Sequence, residues 1–138
     1  MSLARFAAAQ DDAYQDALEE IRAGKKHSHW MWFVFPQLRG LGRSETSEFF
    51  GICGTEEALA YVRDPVLGAR LVEASAALLK LHDRTAEDVF GAVDAMKLRS
   101  SMTLFACVAT SPSVFEDVLE RFFDGERDPR TLEMLGVE

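Results

Sequence analysis

The chain has 138 residues, a common length for one domain, with 48% apolar and 28% charged side chains and a formal net charge of −8. These values argue against intrinsic disorder and allow a hydrophobic core without disulfide or metal supports. An acidic balance argues against a nucleic-acid partner, since the phosphate backbone rewards a net basic face, and the longest apolar run, residues 30–35, is too short to cross a bilayer.

The first element is predicted as a helix from Leu3, because Phe6, Ala7, Ala13, Tyr14, Ala17, Leu18 and Ile21 recur at spacings of three and four. Gly24 stands where a left-handed terminal residue should end it. Asp11, Asp12, Asp16, Glu19 and Glu20 fill the opposite, solvated face. A short helix is expected over residues 28–35, ended by Pro36, and Gly40, Gly42 and Ser44 mark a loop. Residues 49–53 are the one place where a short strand could fit, weakened by Gly51.

Thr55 reads as the N-cap of a helix running to about Arg63, with Glu56 and Glu57 complementing its dipole. Asp64-Pro65, Ser111-Pro112 and Asp128-Pro129 read as caps followed by proline at the first helical position, predicting helices over 65–82, 112–124 and 129–135. Gly125 and Gly136 follow the last two. Thr85 and Asp88 form a capping-box variant. Asp94 reads as the N-cap of an apolar segment, residues 95–109, expected to be the central helix. The predicted fold class is all-α: a compact single-domain bundle or orthogonal array of about six to eight helices spanning residues 1–138.

Within this acidic chain, residues 22–43 carry five Lys/Arg, two His and both Trp but no Asp or Glu. Trp30 and Trp32 would project about 200° apart on a helix, so one of them is left over from a single core layer. Pro36, Gln37, Arg39 and the Gly40/Gly42 pair supply a rigid stop, an amide, a guanidinium and free backbone N–H groups, which are the ingredients of an anion cradle. A second stretch without acids, residues 95–115, contains Lys97, Arg99, Ser100 and Ser101. Lys97 and Ser101 share a helical face there.

Neither Cys53 nor Cys107 belongs to a CxxC pair, and both are expected as buried thiols. His27 and His29 lack a third ligand, so no metal is expected. No cofactor is implied. No serine sits in a nucleophile elbow. The N-terminus has no apolar leader pattern, which points to a cytoplasmic protein.

The strings SHWMWFVFPQLRGLG and KLRSSMTLF, with RFAAAQ, DPVLGARL and VFEDVLERFFDGERDPRTLEMLG, resemble the uncharacterised bacterial family catalogued as domain of unknown function 1810. Similarity spans nearly the whole chain. Members are sometimes labelled calpastatin-like. Calpastatin inhibitory domains are disordered, whereas this chain has the composition and capping of a folded one. The resemblance implies a small, mainly helical cytoplasmic domain and supplies no activity, cofactor or catalytic residue.

The residues therefore lead to a binding protein for a small anion or nucleotide-like metabolite, with an enzyme acting on such a metabolite as one form of that reading. Lys26 and Arg39 would neutralise the anion, Trp30 or Trp32 would stack on a ring, and His27, Gln37, Lys97, Arg99 and Ser100 complete the candidate site. His29 is the candidate for proton transfer. The alternative is an interaction module whose basic aromatic surface docks an acidic protein partner.

Overall fold

The computed structural model describes residues 2–136, and among them the chain forms eight α-helices and no extended strand: α1 Ala4–Ala23, α2 Met31–Val34, α3 Glu45–Phe50, α4 Thr55–Arg63, α5 Leu67–Leu79, α6 Ala86–Val108, α7 Val114–Phe123 and α8 Pro129–Leu135. The all-α class and the number of helices agree with the sequence. No helix among the described residues is long and apolar enough to cross a membrane.

Helix α6 is the axis. Apart from Arg99, every residue from Leu98 to Ala106 is buried, so this stretch is enclosed on all sides. It packs against α4, α7 and α8, while α5 packs against α1, α4 and α7. The predicted core helix is thus real, but its start is not Asp94. Thr85 accepts from the Asp88 N–H at 3.0 Å while the Asp88 carboxylate accepts from the Thr85 N–H at 2.9 Å, completing the predicted capping box. The two segments join across Gly91, whose φ of 81° and ψ of 167° lie in a region open essentially to glycine alone. The kink frees the Val89 carbonyl, which accepts the Lys26 N–H at 2.8 Å.

Other caps differ in place rather than in kind. Ser113, not Ser111, caps α7 through a reciprocal box with Glu116, and Pro112 lies outside the helix. Gly54 precedes α4 and the Thr55 side chain makes no capping bond. Asp64 does accept from the N–H groups of Val66 and Leu67, at 3.1 and 2.8 Å, although α5 begins only at Leu67. Asp128 caps α8 with Pro129 at its start, and Gly24 ends α1 in the left-handed conformation, both as predicted.

The strand suggested at residues 49–53 reduces to a single parallel bridge between Leu38 and Ile52. Its two hydrogen bonds, Arg39 N–H to Ile52 O and Ile52 N–H to Gln37 O, both 2.9 Å, pin the loop after α2 to the segment before α4. Cys53, expected to be buried, is exposed, and Cys107 is half-buried. The cause for Cys53 is local: it follows the bridge at the turn into α4, where its own N–H donates to Glu57.

The short helix α2 is held by a buried polar group. Gln10 on α1 is 1% exposed, and its Nε2 donates to the Phe33 carbonyl at 2.6 Å and to the Tyr61 hydroxyl at 2.8 Å. An amide at that depth needs such partners, since an unpaired buried polar group costs about 1–3 kcal/mol.

Candidate functional site

Trp30 is the N-cap residue of α2 and Trp32 lies within the helix, and their environments are opposite. Trp30 is 1% exposed and packs edge-on to Phe90, with ring centroids 6.2 Å apart. Its indole N–H donates to Glu20 Oε1 at 2.9 Å. The same carboxylate accepts from the N–H groups of His27 and Ser28, at 2.7 and 2.9 Å, and from the Ser28 hydroxyl at 2.6 Å. Partial burial pushes the Glu20 carboxyl upward, but these four donors outweigh it and hold the group at about 2. One carboxylate on α1 therefore organises the loop before α2.

Trp32 is half-buried, and its Nε1 is shielded from solvent with no acceptor among the described residues. The Lys97 ammonium lies 4.6 Å from its ring centroid, and the Lys26 ammonium lies 5.3 Å from that of Trp30. Both lysines converge on Asp94: Lys26 Nζ is 2.9 Å from Oδ2 and Lys97 Nζ is 3.5 Å from Oδ1. Asp94, read from the sequence as a cap, is instead the shared counter-ion of two indole-bound ammonium groups. The Gly91 kink sits three residues before it, in the same turn of the chain that Lys26 touches with its backbone N–H.

Lys97 and Gln37 line two adjoining spaces. The outer is a cleft of about 310 Å³ between the 37–42 loop, the start of the buried half of α6 and the start of α8, bounded by Leu41, Met96, Ser100 and Arg130. The inner is a cavity of about 10 Å³ walled by Trp32, Met31, Phe35, Phe50 and Ser47. The outer volume lies at the lower end of the range for small-molecule sites; the inner is about the size of one water. Gly42 closes the loop over Ser47 so tightly that a Cβ there would lie 2.4 Å from Ser47 Oγ. The single Ser100 hydroxyl proton is shared between Met96 O, 3.1 Å from Oγ, and Asp128 Oδ2, 3.2 Å from it, so α8 is tied to this wall through its own cap residue.

The structure thus brings together Trp32, Gln37, Lys97 and Ser100 of the sequence-predicted set, with Lys26 one carboxylate away. It does not bring the others. Trp30 is enclosed in the core, so it offers no face for stacking. His27 and His29 are exposed on the loop before α2, and neither lines the cleft. Arg99 donates to the carbonyls of Glu126 and Arg127, at 2.9 and 2.8 Å, and secures the turn before α8. Ser101, the expected neighbour of Lys97, is fully buried, and its hydroxyl is the second solvent-shielded side-chain group without a partner among the described residues. Asp94, Ser47, Asp128 and Arg130 were not anticipated. Only Gly42, as a loop glycine, carried a sequence signal of its own.

Arg39 belongs to a different depression, larger than the Trp32 cleft at about 660 Å³, shared with Arg5, Cys53 and Glu57. Its charged heads are already engaged. Arg5 meets both Glu57 oxygens, at 3.0 and 3.2 Å, and Arg39 donates to Glu48 O at 3.0 Å. Burial pushes Glu57 up, but the Arg5 guanidinium and the Cys53 N–H outweigh it and hold the carboxyl below its usual range. Size favours this depression, yet unsatisfied polarity favours the Trp32 cleft, and polarity is the better guide to what binds a polar ligand.

The fold recurs in the crystal structure of the conserved hypothetical protein Rv1873 from Mycobacterium tuberculosis, which is 45% identical, with a TM-score of 0.95 over 99% of this chain and 97% of that one. A comparison with curated proteins finds no match. Over residues 1–135 the sequence matches, and the chain belongs to, the family described as Protein of unknown function (DUF1810).

Proposed function

We propose, taking membership of the DUF1810 family as the premise, that this chain is a single-domain cytoplasmic protein that binds a small anionic ligand in the Trp32–Lys97 cleft. The observation that carries the reading is the Trp32 indole: its solvent-shielded N–H has no acceptor among the described residues, a lysine ammonium lies over its ring, and the residue lines a cavity. An unpaired buried donor costs about 1–3 kcal/mol, and a ligand oxygen that accepts it recovers part of that. Lys26, Lys97 and Arg130 set three cations against the two carboxylates of Asp94 and Asp128, so the local charge is positive in an acidic protein. With neither histidine on the cleft, this is a reading of binding and assigns His29 no proton transfer.

A thermal-shift screen against small carboxylates and phosphates tests it, because a ligand that binds only the folded state raises the melting temperature by mass action. Wild type should respond, and Lys97→Met and Trp32→Phe should not. No response to any anion at millimolar concentration would remove the reading.

A second reading has one observation behind it. Met96 and Val93, at the lip of the cleft, are 72% and 69% exposed. Flanked by Lys97 and Arg130, they suit an acidic, partly apolar protein segment. Sedimentation with an acidic amphipathic peptide, with and without Met96→Glu, separates this docking surface from a small-ligand cleft.

A further inference from the structure

We infer that α8 is a detachable wall of the outer cleft: it leaves α6 as a unit in the folded protein, and an anion seated against Arg130 holds it down. The second half rests on the binding reading just given; the first half does not. Helix α8 has seven residues, of which Thr131 alone is buried. Leu132 and Leu135 are half-buried, and the other four side chains face solvent. A helix this short does not persist by itself in water, and so little apolar burial holds it weakly. What fastens it is polar. Gly125 and Glu126 donate their N–H groups to the Leu119 and Phe123 carbonyls of α7, both at 2.9 Å, and Arg99 holds the Glu126 and Arg127 carbonyls, so the pivot is fixed just before Asp128. Beyond the pivot, the hydrogen bonds from α8 to α6 among the described residues all come from that one residue. Asp128 N–H donates to Thr103 Oγ1 at 2.9 Å, and its Oδ2 lies 3.2 Å from the Ser100 hydroxyl. Water can replace both contacts when the helix swings out, so their release costs far less than opening the apolar core.

The same helix completes the cleft. Asp128 and Arg130 line it together with Gln37 and Lys97. Met134, one turn further on, reaches the 37–42 loop, where a Cβ on Gly40 would lie 3.2 Å from its Cε. Docked, α8 therefore joins α6 to that loop; detached, it takes Asp128 and Arg130 away and the cleft loses that wall. A ligand that needs the assembled cleft binds only the docked state, so by mass action it suppresses detachment. The Arg130 side chain takes no part in the latch, so the latch and the ligand contact can be removed separately.

Native-state hydrogen exchange on the full chain tests both halves, read at the amides of residues 132–135 in α8 and 98–106 in α6. The α8 amides should exchange at one common rate, about a hundredfold or more faster than those of α6, and that rate should not respond to low urea. Ser100→Ala and Thr103→Val, the second keeping the volume of a buried side chain, should each speed α8 exchange several-fold with the helical spectrum retained. Protection of α8 equal to that of α6, protection graded toward the C-terminus as in fraying, or no change in either latch variant would overturn detachment. Benzoate and inorganic phosphate, at millimolar concentration, serve as the anion. One of them should slow α8 exchange in wild type several-fold but not in Arg130→Met, whose exchange without anion should match wild type. An anion that raises the melting temperature through Lys97 yet leaves α8 exchange unchanged would overturn the coupling and leave the binding reading standing. Detachment as described, with no anion that slows it or shifts the melting temperature, would instead sink the binding reading and the ligand half of this inference together.

Discussion

The two indoles at the start of α2 are set among the same parts and end in opposite states. Each has a lysine ammonium over its ring, and both lysines share Asp94. At the N-cap, one α1 carboxylate accepts from four donors, including the Trp30 indole; inside the helix, the Trp32 indole N–H has no acceptor among the described residues. The first indole is finished as structure. The second keeps an unpaired donor on a residue that lines a cavity, and the contrast shows that an aromatic and basic segment is not uniformly a site: what matters is which of its polar groups the fold leaves unspent.

Removing the organiser should have the largest effect. Glu20→Ala strips the partners from two backbone N–H groups and the buried Trp30 indole, at an expected cost of about 3 kcal/mol in urea unfolding. Its pH signature has a defined sign. The carboxyl is held at about 2 in the folded chain against an ordinary 4.5, so its contribution is complete above about 4.5 and is lost as the pH falls toward 2. Between those values wild type should lose about 1–2 kcal/mol relative to Glu20→Gln, allowing for solvent screening.

The tryptophans themselves give the next contrast. Trp30→Phe gives up a charge-assisted hydrogen bond and some core volume, and should cost about 2 kcal/mol. Trp32→Phe removes a donor that was unpaired, and should cost less than about 1 kcal/mol. Equal costs in chemical denaturation would erase the distinction between the two indoles. Comparable in stability, and felt in binding as well, is Gly42→Ala. Its new methyl displaces Ser47 and should cost about 1 kcal/mol, while any thermal shift from an anion falls because the inner cavity loses a wall.

Local chemistry was legible and tertiary meeting points were not. The caps at Thr85 and Asp128 and the left-handed stop at Gly24 follow from residue type within one helical turn, and the structure places them as read. Asp94 was misread for the same reason. An acid ahead of an apolar helix has the local pattern of an N-cap, and nothing nearby in sequence reveals that Gly91 kinks the chain or that Lys26, far upstream, reaches across the kink. Arg130 and Ser47 reach the cleft through the docking of α8 and α3, which no period within either helix encodes. Cys53 shows the limit of a burial statistic, since the turn it occupies fixes its exposure. Trp30 and Trp32 fall between these cases: their opposite projection was readable, but which of them would be satisfied depended on Glu20, ten residues away on another helix.

The difference between the two indoles can be read directly from their N–H signals in a ¹⁵N-correlated NMR spectrum, with Trp30→Phe and Trp32→Phe supplying the assignments. On titration with benzoate the Trp32 indole signal should move downfield as its proton gains an acceptor, while the Trp30 signal, already bonded to Glu20, stays in place. Two signals that move together, or a Trp32 signal that never moves with any small carboxylate or phosphate, would contradict the account.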